Sequence, residues 1–393
     1  MQAYAIDDFY SVAAGAAVLA SGGGGSYQDA LQIVAELAGT GWTGTVTVKG
    51  YDGQSACAVL AMMGSPDAAS SLTLINVTNS IANTLQAFQT QIQDNLQCAI
   101  PVEIGPINSL IPLIAATLSS NAITWVVDGD GAGRAVPELA QTTYSASATL
   151  AVSPCTLAND AGTGTPAQSA TLQASTAAQA ESLAGGIVAG FGSYSGIALW
   201  PSLCGNQHGL SNSYIPGTLS QAWKLGQYLL AAATPPSTAE VVNQIHAITG
   251  RAAQAVVSNF YITEITQSTT SASLDAGVLR LDNHIDPGQS TETHYIYNLN
   301  ENLIMYCSSR SAPDVIAPDS ICYYSQSTGR GFSNASSDLA LYFDSAQQVS
   351  TGKMVSVIKV PALPQFYQAR DVSSSFAALL RRIGYAGALP YAA

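Results

Sequence analysis

The hydrophobic period of this chain changes once, near Gly250, and that change limits the folds open to it. Upstream, helical spacing alternates with short apolar runs. Phe9, Val12, Ala13, Ala16 and Ala17 repeat at helical spacing behind Asp7 or Asp8 as N-cap, and the run must stop at the glycines of 22–25. A second helix is expected over 27–37, strands over 42–49 and 57–63, and a helix through Ile81, Leu85, Phe88, Ile92 and Leu96. A strand at 98–102, a helix from Asn108 as N-cap to Leu118 and a strand at 123–127 follow, then helices over 175–189, 217–233 and 237–249. The last opens on Ser237 and Glu240 in a capping box. Strands alternating with helices predict an α/β fold, a three-layer, mostly parallel sheet domain over 1–250.

Downstream, β-branched and aromatic residues alternate over 256–265, 277–281, 293–299, 302–306, 315–323 and 354–360, with no long helix before about Ser373. Short strands separated by turn residues predict a second, smaller β-barrel-like domain over 251–360. Pro361 and Pro364 mark the exit from it, and 361–393 is expected to pack back on the α/β domain.

Only 9% of the 393 residues are charged, against about 25% in an average domain, while 47% are hydrophobic. Such a chain buries a core without disulfides or metals and carries its surface on Ser, Thr, Asn and Gln. A net charge of −13 argues against nucleic acid or an anionic membrane as partner. The longest strictly apolar run, 56–63, is too short to span a bilayer, and the start lacks the basic residues of a secretory signal, so a cytoplasmic protein is expected. Self-association is left open. The six cysteines form no C-x-x-C pair, and the four histidines form no metal motif; Cys204 and His208 could share a metal or belong to an ordinary loop.

Ligands of open α/β sheets bind beyond the carboxyl ends of the strands. Those ends carry Met63, then Glu103 and Asn108, then Asp128, Asp130, Arg134 and Glu138. Five charged residues within 103–138 stand out in a chain so poor in charge. The 128–138 segment reads either as a glycine-rich turn, with Arg134 paired to a carboxylate, or as a working site for acid–base chemistry on a polar small molecule. It is no EF-hand, since Ala132 and Leu139 fall where ligands are required, but a loose divalent metal site at Asp128 and Asp130 is an alternative to a cofactor-free site. Gly23, Gly24 and Gly25 could cradle an anion before a helix, or simply join two helices. At 192–196 tyrosine occupies the centre of what would be a nucleophile elbow, so serine hydrolase chemistry gains no support.

Taken in order, several of these segments resemble one bacterial family. They are Ser-Gly-Gly-Gly-Gly at 21–25, Ala-Met-Met-Gly at 61–64, Pro-Val-Glu-Ile-Gly at 101–105 with Asn-Ser-Leu-Ile-Pro at 108–112, and Asp-Gly-Asp-Gly-Ala-Gly-Arg-Ala-Val-Pro-Glu at 128–138. Pro-Gly-Thr-Leu-Ser at 216–220, Asn-Glu-Asn-Leu-Ile at 300–304 and Pro-Asp at 313–314 continue the series. The chain resembles the DUF917 family, associated with S-methyl thiohydantoin desulfurase and with hydantoinase/oxoprolinase-type systems. The resemblance implies an N-terminal α/β domain, a C-terminal β domain and hydrolysis of an S-methylated thiohydantoin to a hydantoin and methanethiol. Ala132 and Val136 stand where the family pattern has Met and Phe.

Such chemistry needs a carboxylate to activate water, a protonated carboxyl to supply the ring nitrogen, and groups that orient the ring. Asp128 or Asp130 is the expected base, Glu103 or Glu138 the acid, and Asn108 and Arg134 the clamps, with Gly23, Gly24, Gly25 and Met63 lining the site. The alternative is a non-catalytic binding or accessory subunit holding the same heterocycle. The β domain could be lid, dimer surface or substrate wall.

Overall fold

The computed structural model describes residues 1–64, 72–118, 122–203, 209–269 and 275–391. Its first helix, Ile6–Leu19, is rich in alanine and buried from Ser11 to its end, so it behaves as a core element. Thr218–Ala231 crosses it closely: a Cβ on Gly15 would lie 1.8 Å from the Ala222 carbonyl oxygen, and one on Gly226 1.7 Å from that of Ser11. The two backbones touch, which only glycine permits. Ala5 holds the N-cap position of Ile6–Leu19, and the Asp8 carboxylate reaches back to its N–H. Other ends follow the sequence more directly, as in the Ser237 and Glu240 capping box of Thr238–Thr249 and its Gly250 C-cap.

The first sheet runs, edge to edge, Gln2–Tyr4, Val46–Lys49, Trp125–Val127, Cys98–Pro101, Cys57–Gly64, Tyr194–Ser202, Cys155–Ala158, Ser169–Leu172. It is mixed, not mostly parallel. Three neighbouring pairs are parallel, centred on Cys98–Pro101, and four are antiparallel. The difference comes from Tyr194–Ser202, which joins Cys57–Gly64 antiparallel and brings a hairpin with it. Alternation along the central strand divides the core: Ala58 and Leu60 face the helices Ile6–Leu19, Tyr27–Gly39 and Leu74–Ile92. Cys57, Val59 and Ala61 face the helix Ala177–Gly190 and the 139–152 loop.

Beyond Gly250 the second sheet is antiparallel throughout, in the order Val315–Ile316, Glu301–Cys307, Thr293–Leu299, Asp275–Asp282, Gln254–Thr269, Met354–Val360, Ser320–Tyr324. Its edge strands are separated only by residues 317–319, and the Asn302 amide reaches across to the Ile321 carbonyl, so the sheet is nearly a closed barrel. The terminal helix Val372–Arg382 inserts Val372, Phe376, Leu379 and Leu380 into a cluster shared with Ala132 and Val136 on one side and Leu299, Leu303 and Ile304 on the other. Among the described residues no helix is long and apolar enough to cross a membrane.

Two buried charges tie the two sheets together. Arg134 is 1% exposed, and its guanidinium donates to the carbonyls of Ala135, Asn302, Pro318 and Asp319 at 2.8 to 3.1 Å. Burial pulls its affinity for a proton down to about 10, which leaves it charged at neutral pH. Asp338, from the β region, accepts from Ser26 Oγ and the N–H groups of Tyr27 and Gln28, capping the N-terminus of Tyr27–Gly39. Arg134→Met should therefore lower stability by about 3–5 kcal/mol, the usual cost of removing one member of a buried charged network. Urea unfolding checks this, with Arg382→Met on the exposed face of the terminal helix expected to change little.

Candidate active site

Between the two sheets lies a pocket of about 110 Å³. Its floor is the end of the central strand, Ala61 to Gly64, whose two methionines offer a soft thioether wall. Gly24 and Gly25 form one side. Asn108, Ile107 and Glu103 follow the strand Cys98–Pro101, and Val136, Pro137 and Leu139 come from the loop beyond. Glu181 is on the helix Ala177–Gly190, and Asn300 with Glu301 arrives from the barrel-like sheet.

Local conformation explains these placements. Asn300 adopts φ 58°, a left-handed turn that asparagine tolerates, and thus links the strands Thr293–Leu299 and Glu301–Cys307 through one residue. Its side-chain oxygen accepts from the Asp275 N–H at 2.7 Å. Gly24, at φ 70°, lies against Gly105; a Cβ there would sit 2.3 Å from the Gly105 Cα. A Cβ on Gly23 would fall 1.9 Å from Glu301 Oε1, so the glycine run makes room for that carboxyl.

Three carboxyl groups share the pocket, and no Lys or Arg is among its described lining. Glu103 accepts from the Asn108 side-chain amide at 2.8 Å and from the Val136 N–H at 2.7 Å; burial outweighs both and pushes it up to about 7. Burial likewise pushes Glu181 up to about 8, against the Leu139 N–H that it accepts. Burial first and the Glu103 charge second hold Glu301 well above the usual carboxyl range. Its Oε1 lies 3.4 Å from the Gly24 N–H, while Oε2, in a residue 4% exposed, has no hydrogen-bond partner among the described residues. An unpartnered carboxyl oxygen at a pocket wall is a group held ready for a ligand. The three carboxyls surround the space without converging on one point, since among the described residues their oxygens form no cluster able to hold one ion.

The residues expected from the sequence therefore divide. Gly24, Gly25, Met63, Glu103 and Asn108 line the pocket, and Gly23 lies behind Glu301. Asn108 is not a helix cap; the helix is Ile111–Thr117, capped at Leu110, because the Asn108 amide is engaged with Glu103 and the Met62 N–H. Asp128, Asp130, Arg134 and Glu138 are not brought into the pocket. After Val127 the chain turns beneath the second sheet, and these side chains serve the turn. Asp128 accepts from the N–H and hydroxyl of Ser220. Asp130 accepts from the N–H groups of Ala132 and Gly133, with burial pushing it up to about 6. Glu138 faces Ser375 and Arg382 of the terminal helix. The oxygens expected to hold a metal at Asp128 and Asp130 thus already take N–H and O–H donors.

The anion position before Tyr27–Gly39 is filled by Asp338. Cys204 and His208 lie outside the described residues. Glu181 and Glu301 were not anticipated as site residues. Glu301 did carry a signal, as a lone carboxylate opening an apolar strand in a chain with few charges; Glu181, within an alanine-rich helix, carried none.

The fold and pocket define a two-part α/β and β protein with an acidic pocket between its sheets. The S-Me-THD-like N-terminal domain matches residues 7–167, and the S-Me-THD-like C-terminal domain matches residues 175–373. The chain belongs to the S-Me-THD-like family. The same fold is found in a crystal structure of a protein from Chromobacterium violaceum, with TM-score 0.80 and 23% identity over 100% of this chain and 99% of that one. No curated protein matches the chain.

The pocket carboxyls give stability a pH dependence of definite sign. An ordinary glutamate loses its proton near 4.5, whereas Glu103 keeps its proton to about 7 and Glu181 to about 8. Between those values the folded chain binds more protons than the unfolded one, so these groups make unfolding easier as pH rises. Their effect is absent below about 4.5 and complete above about 8. Thermal unfolding should show this decline between pH 5 and 8, and Glu103→Gln should flatten it.

Proposed function

We propose that this protein hydrolyses an S-methylated thiohydantoin or a closely related cyclic S-alkyl isothiourea, releasing methanethiol. The observation that carries the reading is the set of three proton-holding carboxyls around a pocket with a thioether floor and no cation among its described lining. A neutral or protonated nitrogen heterocycle suits such a pocket, and an anion does not. Family membership supports the same substrate class.

Water attacks the ring carbon that bears sulfur. Glu103, whose affinity near 7 populates its ionised form at neutral pH, takes a proton from that water. Glu301, held protonated, donates from its free Oε2 to the ring nitrogen as electrons move onto it. Collapse of the tetrahedral intermediate forms the carbonyl and breaks the carbon–sulfur bond, and the proton taken by Glu103 leaves on the thiolate as methanethiol. The proton shed by the new hydroxyl as the carbonyl forms restores Glu301 through solvent, so the two protons of the attacking water end on sulfur and on the acid, and no redox partner is needed. Glu181 faces the ring as a second proton-holding group, and Met62 and Met63 pack against the S-methyl group.

Methanethiol release from a panel of S-methyl thiohydantoins tests the reading. Glu301→Gln and Glu103→Gln should each lower kcat by about 10²–10⁴, the range for loss of a general acid or base. Asp128→Asn, away from the pocket, should leave kcat within a few-fold of the parent. The pH profile of kcat/KM should rise through about 7 and fall again at higher pH as the acid is lost. Tight binding of the panel without turnover would replace this reading with that of a binding or accessory subunit.

A further inference from the structure

A second cluster of reactive side chains lies at the far end of the hairpin that delivers Glu301. His294 pairs directly with Cys307 across the two strands, so their side chains share one face. The hairpin turn, where Leu299 faces Glu301, is five residues away, about 17 Å along the strand. One ligand atom each from Glu292, His294 and Cys307 lies within 4.8 Å of the other two. Both His294 and Cys307 are buried, at 0% and 2% exposure.

We propose that Glu292, His294 and Cys307 form a binding site for a divalent ion of the zinc class, separate from the acidic pocket. His294 is the centre of the argument. Its Nε2 lies 2.9 Å from Glu292 Oε1 and its Nδ1 3.0 Å from Asp314 Oδ2. A neutral imidazole has one N–H to give, yet this ring meets two carboxylates. The second contact is therefore open to a metal ion seated between Nε2 and Glu292 Oε1. Asp314 on Nδ1 reproduces the outer carboxylate that commonly orients a metal-bound histidine and fixes its tautomer. Phe260 packs edge-on against the ring, with centroids 5.6 Å apart, and holds its plane.

The donor set fits zinc better than magnesium or calcium. A thiolate, an imidazole nitrogen and one carboxylate oxygen are borderline ligands, and hard cations prefer oxygen alone. Three protein ligands leave a fourth position for water. Bonds of about 2.0–2.3 Å would need Nε2 and Glu292 Oε1 to separate slightly, which the Glu292 side chain, 45% exposed, is free to do. Binding takes the lone pair of His294 Nε2 and the Cys307 sulfur as thiolate, whose proton passes to solvent. Ser309 Oγ, 3.1 Å from Cys307 Sγ, can then donate to the thiolate. Arg310 bonds Asp314 and lies 4.0 Å from Glu292 Oε1; its exposed side chain competes with the ion for Glu292. The ion would fasten the two strands to each other and to the 308–314 turn.

Cobalt(II) titration of the chelator-stripped full chain tests this. One equivalent should bind with a thiolate-to-cobalt charge-transfer band and the visible bands of a four-coordinate site, and zinc should bleach both. Cys307→Ser should abolish the charge-transfer band, and Cys204→Ser should leave it, which separates this site from the 204–208 segment. Asp314→Asn should weaken retention by about 10–100-fold. Glu292→Gln, at an exposed position, should fold normally and lower retention, and Arg310→Gln should raise it. No charge-transfer band in the parent chain, or a band that survives Cys307→Ser, would overturn the proposal. Because no cysteine is among the described lining of the pocket, cobalt held by its carboxyls gives no such band and counts against it.

Discussion

A guanidinium taken out of water must have its N–H groups met, and the way Arg134 meets this demand organises the molecule. Its side chain comes from a turn at the edge of the first sheet, and three of the carbonyls it reaches belong to the second, at Asn302, Pro318 and Asp319. Those carbonyls lie in or beside the strand opened by Glu301 and the turn joining the barrel's edge strands. Holding them fixes how the barrel seats on the α/β sheet. The arginine thus works through the glutamate's neighbours, and its charge is part of what offsets the burial of Glu301 itself.

The pocket inherits its character from this seating. Gly24 can approach Gly105, and Gly23 can make room for Glu301, only while the glycine run is pressed between the sheets. The Asn302 N–H on the Ser21 carbonyl and the Asn334 N–H on that of Gly22 press it there. Asp338 anchors the following helix from the same side. Burial raises the proton affinity of each carboxyl, and the Glu103 charge raises that of Glu301 further. One structural decision, the docking of two sheets, therefore sets the shape, the dryness and the protonation of the site.

Asp128, Asp130 and Glu138 lie outside the pocket lining for a common physical reason. They are charged residues after a strand, as active-site carboxylates often are, yet each meets donors of a turn or a helix. In a chain with few charges, a buried carboxylate can be retained to terminate backbone N–H groups as readily as to do chemistry. Glu103 obeyed the strand-end rule because its strand ends at the interface. The sheet was misread as mostly parallel because the pairing direction of Tyr194–Ser202 depends on its partner, Cys57–Gly64, over 130 residues earlier.

What the sequence determined by itself is local. Period and caps place the helix Leu74–Ile92, the capping box at Ser237 and the change to strands after Gly250, because each depends on residues within a few turns of one another. The motif series points to the family, since it needs only order along the chain. Glycines 24 and 25, Met63, Glu103 and Asn108, picked out on the same local terms, line the pocket. Tertiary structure alone decided that Glu181 and Glu301 complete the pocket and that Arg134 builds the interface. Those roles arise where distant segments exclude water from each other, and desolvation is a property of the packed fold that no local stretch of sequence contains.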